Sequence, residues 1–153
     1  MPATDTRIQR LAASDTGPMR SMLAMMGRAF DMLDEYTGAQ PDDAYLERLL
    51  AGPQFIALAA MAGDAVVGGL AAYELPKFEQ ARSEIYIYDL AVDEAWRRRG
   101  IATRLIDALR AIARERGAWV VYVQADPPDA PAMALYSKLG TREDVCHFDI
   151  AVR

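Results

Sequence analysis

The hydrophobic positions of the chain fall into short unbroken runs and into stripes with helical spacing. Residues 86–92 are mostly aromatic, aliphatic or β-branched and contain no glycine or proline, which is typical of a strand. Further along, Ile101, Leu105, Leu109 and Ile112 recur at spacings of four and three, as on one face of an amphipathic helix. The pattern predicts a strand, a short basic turn and a long helix in succession.

The remaining elements follow from the same patterns and from the glycines and prolines between them. Asp15 precedes an apolar helical stripe, and the pair Gly68-Gly69 indicates a bulge or a close approach of backbone inside a strand. Residues 31–40 are acidic and are predicted to be a loop. Further strands are predicted at 8–11, 55–61, 65–75, 119–124, 142–146 and 148–152, and further helices at 15–30, 41–51 and 131–139.

The order of these elements predicts an α/β fold in one domain that spans residues 1–153. A long helix between strands 86–92 and 119–124 makes those two strands parallel, because parallel neighbours need a crossover connection. The hairpins on either side are antiparallel. We therefore expect a mixed, mostly antiparallel sheet with helices on both faces, and we expect the strand at 119–124 to be buried.

Composition narrows the possible partners. The net charge is −5 and the isoelectric point is near 4.9, which disfavours nucleic acid and favours a cationic partner. No apolar run is long enough to cross a bilayer, and the first residues do not resemble a signal peptide. A single cysteine is consistent with the cytoplasm, where we expect the protein to act.

The basic turn has the features of a phosphate site. Arg97, Arg98 and Arg99 are followed by Gly100 and by the start of the long helix. A helix start directs unpaired N–H groups and the positive end of its dipole at the turn, and both favour phosphate. The same run also suits a solvated, charged helix cap.

The pattern Arg97-x-x-Gly100-x-Ala102 resembles the coenzyme-binding signature of the GNAT acetyltransferases. Segments 83–92, 99–103 and 122–126, together with 134–136 and 147–150, resemble the aminoglycoside 3-N-acetyltransferases of the gentamicin-resistance type. The resemblance implies the GNAT fold, in which two central parallel strands splay apart and acetyl-CoA lies in the gap. It also implies a set of coenzyme-binding residues: Leu90, Ala91, Val92, Arg97, Arg98, Arg99, Gly100, Ile101, Ala102 and Thr103.

Acetyl transfer by direct attack of an amine needs a base, and Asp89 at the end of an apolar strand is the first candidate. A carboxylate in apolar surroundings tends to have a raised pKa, which suits this role. Alternatively Asp89 pairs with an arginine or caps a turn. Glu84 is the second candidate for the base. Its parity in the strand is opposite to that of Asp89, so both face the acceptor only if the strand bulges.

Tyr136 is the candidate acid for the departing thiolate, a role that the family resemblance implies; the alternative is aromatic packing. Cys146 and His147 are neighbours in a predicted strand, so they point to opposite faces and form no catalytic pair. We expect Cys146 to be buried. His147 is the single histidine, and no group of ligands has metal-site spacing.

An aminoglycoside or another cationic amine requires several carboxylates, and we predict that Glu84, Asp126 and Asp149 supply them, with the acidic segment 31–40 as a further wall. Other acceptors remain open, including a polyamine, an amino acid or a protein N-terminus, as does a catalytically silent sensor that binds the coenzyme. GNAT proteins are often homodimers, but no stripe specifies an interface. Other candidate carboxylates are Asp129, Glu143 and Asp144.

Overall fold

A computed structural model describes residues 5–153 of the chain. The fold is α/β, and no helix among these residues has the length and apolar character that crossing a membrane requires. The strands are β1 (Thr6–Arg10), β2 (Phe55–Ala62), β3 (Ala65–Pro76), β4 (Ser83–Val92) and β5 (Ala118–Val123). The helices are α1 (Thr16–Ala29), α2 (Leu33–Thr37), α3 (Asp43–Ala51), α4 (Ile101–Arg116) and α5 (Ala130–Leu139).

The five strands form one sheet in the order β1-β2-β3-β4-β5. Neighbouring strands are antiparallel except β4 and β5, which are parallel and joined by α4. The prediction of a mixed sheet with one parallel pair is therefore confirmed. Helix α4 ends at Gly117, whose φ of +71° is a left-handed conformation that glycine adopts without strain.

Helices cover both faces of the sheet, as the apolar stripes predicted. On one face α1 and α3 pack against the sheet through a cluster that includes Met22, Met26 and Leu46. On the other face α4 contributes Leu105 and Leu109, both fully buried. Each cluster is continuous across β2 and β3, which lie at the centre of the sheet.

Gly68 and Gly69 allow the two helices to approach the centre of the sheet. A Cβ added at Gly69 would lie 2.5 Å from the Cγ and Sδ atoms of Met22 on α1. A Cβ added at Gly68 would lie 2.9 Å from Ile101 on α4. The β2–β3 register also shifts between Ala60 and Met61. Both the close approach and the bulge that the glycine pair indicated are present.

Residues 31–40 are not simply a loop, because α2 occupies their middle. Asp31 has a φ of +55° and precedes the helix, and Gly38 caps its end. Asp34 and Glu35 lie in its first turn, where negative charge favours the helix. The sequence did not predict this short helix because the segment is polar and has no apolar stripe with helical spacing.

β5 and α5 lie where the sequence predicted a strand and a helix, but the predicted burial of β5 and the predictions for residues 141–153 were wrong. No residue of β5 is buried, and residues 141–153 form neither of the two predicted closing strands. They contain no glycine or proline that would form the tight turn of a hairpin, and every one of them is exposed. Cys146 lies on this segment and is exposed rather than buried.

We predict that Gly69→Ala destabilises the protein by about 1–3 kcal/mol, because the new methyl group overpacks the fully buried Met22. Urea unfolding measures the change. Gly17→Ala is the matched control, since nothing lies within 4 Å of its added Cβ. Equal stability of Gly69→Ala and the wild type would show that α1 adjusts without cost.

Candidate active site

A bulge in β4 determines which side chains share the face of Asp89. Ala71 pairs with Asp89 but Ala72 pairs with Ile87, so Tyr88 has no counterpart on β3. Before the bulge Ile85 and Ile87 pack in the cluster under α4, and after it Leu90 does so. The change of parity places Asp89 on the same face as Glu84, which a regular strand would not do.

Asp89 is half-buried and accepts a hydrogen bond from the hydroxyl of Tyr36, with 2.8 Å between Oη and Oδ2. Burial raises the pKa of the Asp89 carboxyl, and the hydrogen bond from Tyr36 partly opposes this change. Burial and the neighbouring Asp89 raise the pKa of Tyr36 as well, so its phenol remains protonated. Asp89 is therefore a carboxylate held in one position by a donor, with increased basicity.

Tyr36 is the residue that sequence reasoning missed. It lies on α2, and its ring packs against Phe30 at 5.7 Å between centroids, which places the hydroxyl toward β4. The carboxylates of Asp31, Asp34 and Glu35 on the same segment are exposed. The only signal in the sequence was an aromatic residue inside an acidic segment, and that signal does not identify a partner.

Aromatic rings continue from Asp89 across four strands. Phe55 and Tyr73 have ring centroids 5.2 Å apart, and Tyr86 and Tyr122 have centroids 4.8 Å apart. Tyr88, displaced by the bulge, lies 6.0 Å from Tyr73 and 5.9 Å from Tyr86 and links the two pairs. We call these five residues the aromatic row. The side chain of Tyr88 is 66% exposed, so the row presents an accessible surface.

The other predicted acceptor residues lie in different surroundings. Glu84 forms an ion pair with Lys77 at 3.1 Å, and this bond raises the pKa of Lys77. Asp126 is exposed and follows the end of β5. Asp149 lies on the exposed C-terminal segment and contacts His147 at 2.9 Å, so the single chain does not bring it to Asp89.

A gap opens between β4 and β5 next to Asp89. Pairing of the two strands ends at Ile87 and Val123, whereas β4 continues to Val92. The backbone of Leu90 therefore has a strand partner on the β3 side alone. The carbonyl of Val92 accepts a hydrogen bond from Nε of Arg97 at 3.2 Å, which fixes the basic turn to the end of the strand.

The basic turn is compact and leaves the start of α4 open. Arg98 has a φ of +62° and Gly100 a φ of +76°, so two residues of the turn adopt the left-handed conformation. Arg99 is held by the carbonyl of Ala95 and lies over the ring of Trp96 at 4.8 Å. The N–H groups of the first helical residues have no protein acceptor within the described chain, which fits a phosphate. These residues are Ile101, Ala102 and Thr103.

Tyr136 on α5 is half-buried against the cluster under α4. Burial, together with the negative charges of Asp129 and Asp89, raises the pKa of its phenol to about 12. The hydroxyl therefore carries its proton throughout the neutral range and can donate it. Packing and proton donation are compatible at this position, because the ring packs against the cluster and the hydroxyl can donate its proton.

Residues 24–141 match the family model described as acetyltransferase (GNAT) family, and this match covers most of the chain. The chain belongs to the GNAT family. GNAT acetyltransferases use acetyl-CoA as the acetyl donor, in agreement with the open helix start and the gap beside β4.

Solved structures provide two similar proteins, both from an uncultured soil metagenomic sample. The aminoglycoside acetyltransferase HMB0005 is 55% identical, with a TM-score of 0.96 over 97% of this chain and 99% of its own. The aminoglycoside acetyltransferase meta-AAC0020, in complex with sisomicin, is 32% identical, with a TM-score of 0.90 over 97% of each chain.

An archaeal relative covers less of the chain. An N-alpha-acetyltransferase of Saccharolobus solfataricus is 30% identical over an alignment of 95 residues that covers 55% of this chain. The alignment spans about half the length of this curated relative, 54%. Its similarity therefore concerns part of the GNAT domain.

We predict that Gly100→Val weakens CoA binding at least about tenfold, a loss of about 1.4 kcal/mol, because a β-branched residue is strained at a positive φ and displaces the turn. Calorimetry with CoA measures the affinity. Gly117→Val is the matched control, since it has a similar φ and equally open surroundings at the opposite end of α4. Equal affinity of both folded variants would exclude the turn from the coenzyme site.

We predict that Tyr36→Phe moves the acid limb of the pH profile of kcat/KM to higher pH. The variant removes the hydrogen bond that lowers the pKa of Asp89, so Asp89 must lose its proton at higher pH. Activity falls on the acid side and changes little on the alkaline side. An unshifted profile at unchanged melting temperature would mean that Asp89 is not the base.

Proposed function

We propose that this protein transfers the acetyl group of acetyl-CoA to an amino group of aminoglycoside antibiotics, and that the 3-amino group is the one acetylated. The observation that carries the proposal is 55% identity over 97% of the chain to an aminoglycoside acetyltransferase. The choice of the 3-amino group rests on the resemblance of segments 83–92 and 147–150 to the 3-N enzymes of the gentamicin-resistance type.

The coenzyme site would combine the basic turn with the gap beside β4. The N–H groups at the start of α4 and the exposed side chain of Arg98 would hold the pyrophosphate. Backbone groups of Leu90 and its neighbours, unpaired on the β5 side, would hydrogen-bond the pantetheine portion. Acetyl-CoA, when bound, supplies an activated thioester.

The acceptor site would combine the aromatic row with the carboxylates around it. Aromatic faces attract ammonium groups and pack against the apolar faces of sugar rings. Asp89 lies on β4 beside this row, and Asp126 follows the end of β5 as an exposed residue. Glu84 would reach a substrate ammonium by exchanging its bond with Lys77, or would hold the loop before β4 in place. The net charge of −5 adds long-range attraction for a polycationic sugar.

The chemistry assigned to the chain consists of two proton transfers. The substrate ammonium must lose two protons. Asp89 accepts the first, which frees the nitrogen lone pair to attack the thioester carbonyl; the second passes from the nitrogen to solvent once the C–N bond has formed and as the C–S bond breaks. Tyr136 donates its proton to the departing sulfur, and its phenol, with a pKa raised to about 12, is protonated at neutral pH before that step. No covalent enzyme intermediate is required.

A second candidate acceptor is the N-terminal amine of a protein. The similarity to an archaeal N-alpha-acetyltransferase favours it, although it covers only about half of each chain: 55% of this one and 54% of the relative. An amine of a peptide carries one positive charge, so it would use Asp89 and make little use of several carboxylates. A catalytically silent sensor that binds the coenzyme would need neither Asp89 as a base nor the other carboxylates.

The test is to measure CoA release with gentamicin, sisomicin, spermidine and peptides with free N-termini, and to locate the acetyl group by NMR. We expect kcat/KM for the aminoglycosides to exceed the other values at least about a hundredfold, as several ion pairs would give. Gentamicin already acetylated at the 3-amino group is the control and should not react. Preference for peptides would support the second candidate, and CoA binding without turnover would indicate a sensor.

We predict that Asp89→Asn lowers kcat/KM by roughly 10²–10⁴, the usual effect of losing one acid–base group. Its melting temperature at neutral pH should equal or exceed that of the wild type. The raised pKa means that folding favours the protonated carboxyl, so stability from Asp89 declines as pH rises through the folded pKa. Asparagine removes that penalty and can still accept the bond from Tyr36. Early melting with a pH profile of unchanged shape would make Asp89 a scaffold residue.

A further inference from the structure

The hydroxyl that holds Asp89 belongs to a helix without a buried residue. Every residue of α2 is at least partly exposed, and α1 is its main packing partner among the helices and strands. A helix of only five residues has little stability of its own. The position of α2, and with it the bond from Tyr36 to Asp89 at 2.8 Å, therefore depends on how the two ends of the helix are attached.

The start of α2 is attached to α1 at Gly27. The N–H of Met32 donates to the carbonyl of Gly27 at 2.8 Å. A Cβ added at Gly27 would lie 3.0 Å from Cα of Leu33 and 3.2 Å from Cβ of Tyr36, so the missing side chain lets the two helices lie against each other. This contact fixes how closely α2 approaches α1, whereas the angle between them needs a second attachment.

Arg20 provides the second attachment, seven residues and about two turns before Gly27 on the same face of α1. Its guanidinium donates to the side chain of Gln40 and the carbonyl of Pro41, each at 3.0 Å, and to the carboxylate of Asp43 at 2.7 Å. All three acceptors lie between the end of α2 and the first residue of α3. A planar guanidinium holds several acceptors in a fixed arrangement, which favours arginine at this position.

Gln40 connects this attachment to Tyr36. Its side-chain carbonyl accepts from Arg20, while its amide nitrogen donates to the backbone carbonyl of Tyr36 at 3.2 Å. Arginine can only donate and a carbonyl can only accept, so one orientation of the amide satisfies both neighbours. The carbonyl of Tyr36 lies in the last turn of α2, where the helix itself supplies no partner. A continuous series of bonds therefore leads from Arg20 to Asp89.

We propose that Arg20 is a positioning residue for the reaction. Through Gln40 it holds α2 at the angle that keeps the hydroxyl of Tyr36 on Asp89. This inference rests on the proposed function, in which Asp89 is the base. The ion pair with Asp43 is not needed for the role, because that side chain is 66% exposed and surface pairs stabilise little. The other two acceptors of the guanidinium are the ones that matter.

The surroundings of Asp89 make its protonation a direct measure of this bond. The titratable side chains influenced by its charge are phenols: Tyr36 on α2, Tyr73 on β3, Tyr86 on β4 and Tyr136 on α5. Burial first, and Asp89 in addition, raises the pKa of each, so all are uncharged at neutral pH. Within residues 5–153 the bond from Tyr36 is the contact that lowers the pKa of Asp89, and loosening it raises that pKa.

A pH titration of Asp89 by carbon-13 NMR of the side-chain carboxyl groups tests the link without any substrate. The resonance that is missing in Asp89→Asn assigns the signal. We expect the midpoint to rise in Arg20→Ala and in Gln40→Ala, in the same direction as in Tyr36→Phe. Gln40→Ala changes no charge, and it tests the same series of bonds if Arg20→Ala does not fold. Unchanged midpoints in the folded variants would overturn the proposal.

Two controls separate positioning from a direct effect of charge. Asp43→Asn removes the ion pair of Arg20 but keeps the bond to Gln40, so it should not raise the midpoint. In the Tyr36→Phe background Arg20→Ala should cause no further rise, because no bond to Asp89 remains to be loosened. A further rise in that background would mean that Arg20 acts through its charge. A rise with Arg20→Ala and none with Gln40→Ala would mean the same, and either result would overturn the positioning role.

The pH profile of kcat/KM, with the amine that the wild type acetylates fastest, connects the link to the reaction. Arg20→Ala and Gln40→Ala should lower kcat/KM on the acid limb at least about threefold, the effect of weakening one hydrogen bond, and change it little on the alkaline side. Raised midpoints with an unchanged profile would overturn the role in the reaction, because Asp89 would then not be the base. Absence of turnover in the wild type with every amine would overturn the proposed function, and the NMR midpoints would still decide whether Arg20 acts on Asp89.

Discussion

The separation of β4 and β5 is the constraint on which the rest of the site depends. The parallel pairing of β4 with β5 stops at Ile87 and Val123. The antiparallel pairing of β4 with β3 continues as far as Val92. Unpaired backbone on one side of a central strand is costly unless a ligand or solvent satisfies it. The gap is tolerable because it borders the basic turn and the open start of α4, where a polar, phosphate-bearing coenzyme would supply those bonds.

The surroundings of Asp89, the proposed base, combine a benefit for proton transfer with a cost in stability. Burial raises the pKa of Asp89, which makes it a better proton acceptor and a poorer contributor to folding at neutral pH. The hydroxyl of Tyr36 limits this cost and orients the carboxylate. The bulge at Tyr88 places Asp89 on the same face as Glu84 and displaces an aromatic ring outward at the same point.

The two edges of the sheet differ in burial. β1 at one edge is short and lies beside β2, in which seven of eight residues are buried, whereas β5 at the other edge has no buried residue. β5 is also the strand that separates from β4 to form the gap.

The sequence by itself determined most of the fold and the position of the proposed coenzyme turn. Apolar spacing located α1, α3 and α4 and the strands from β1 to β5, because amphipathic periodicity is a local property. The basic turn from Arg97 to Gly100 and the start of α4 could be located because the whole motif is contiguous in the chain. The glycine pair at residues 68 and 69 likewise indicated the close packing that the structure contains.

Tertiary structure decided the rest. The partnership of Tyr36 and Asp89 joins residues far apart in the chain, and a one-residue bulge reverses which face Asp89 occupies. No periodicity reveals either, because the first depends on where α2 lies relative to β4 and the second on the register of β4 against β3. The exposure of β5 and of residues 141–153 also lay beyond the sequence patterns. Alternation shows that a segment can be a strand, but whether it pairs depends on which strands lie beside it in space.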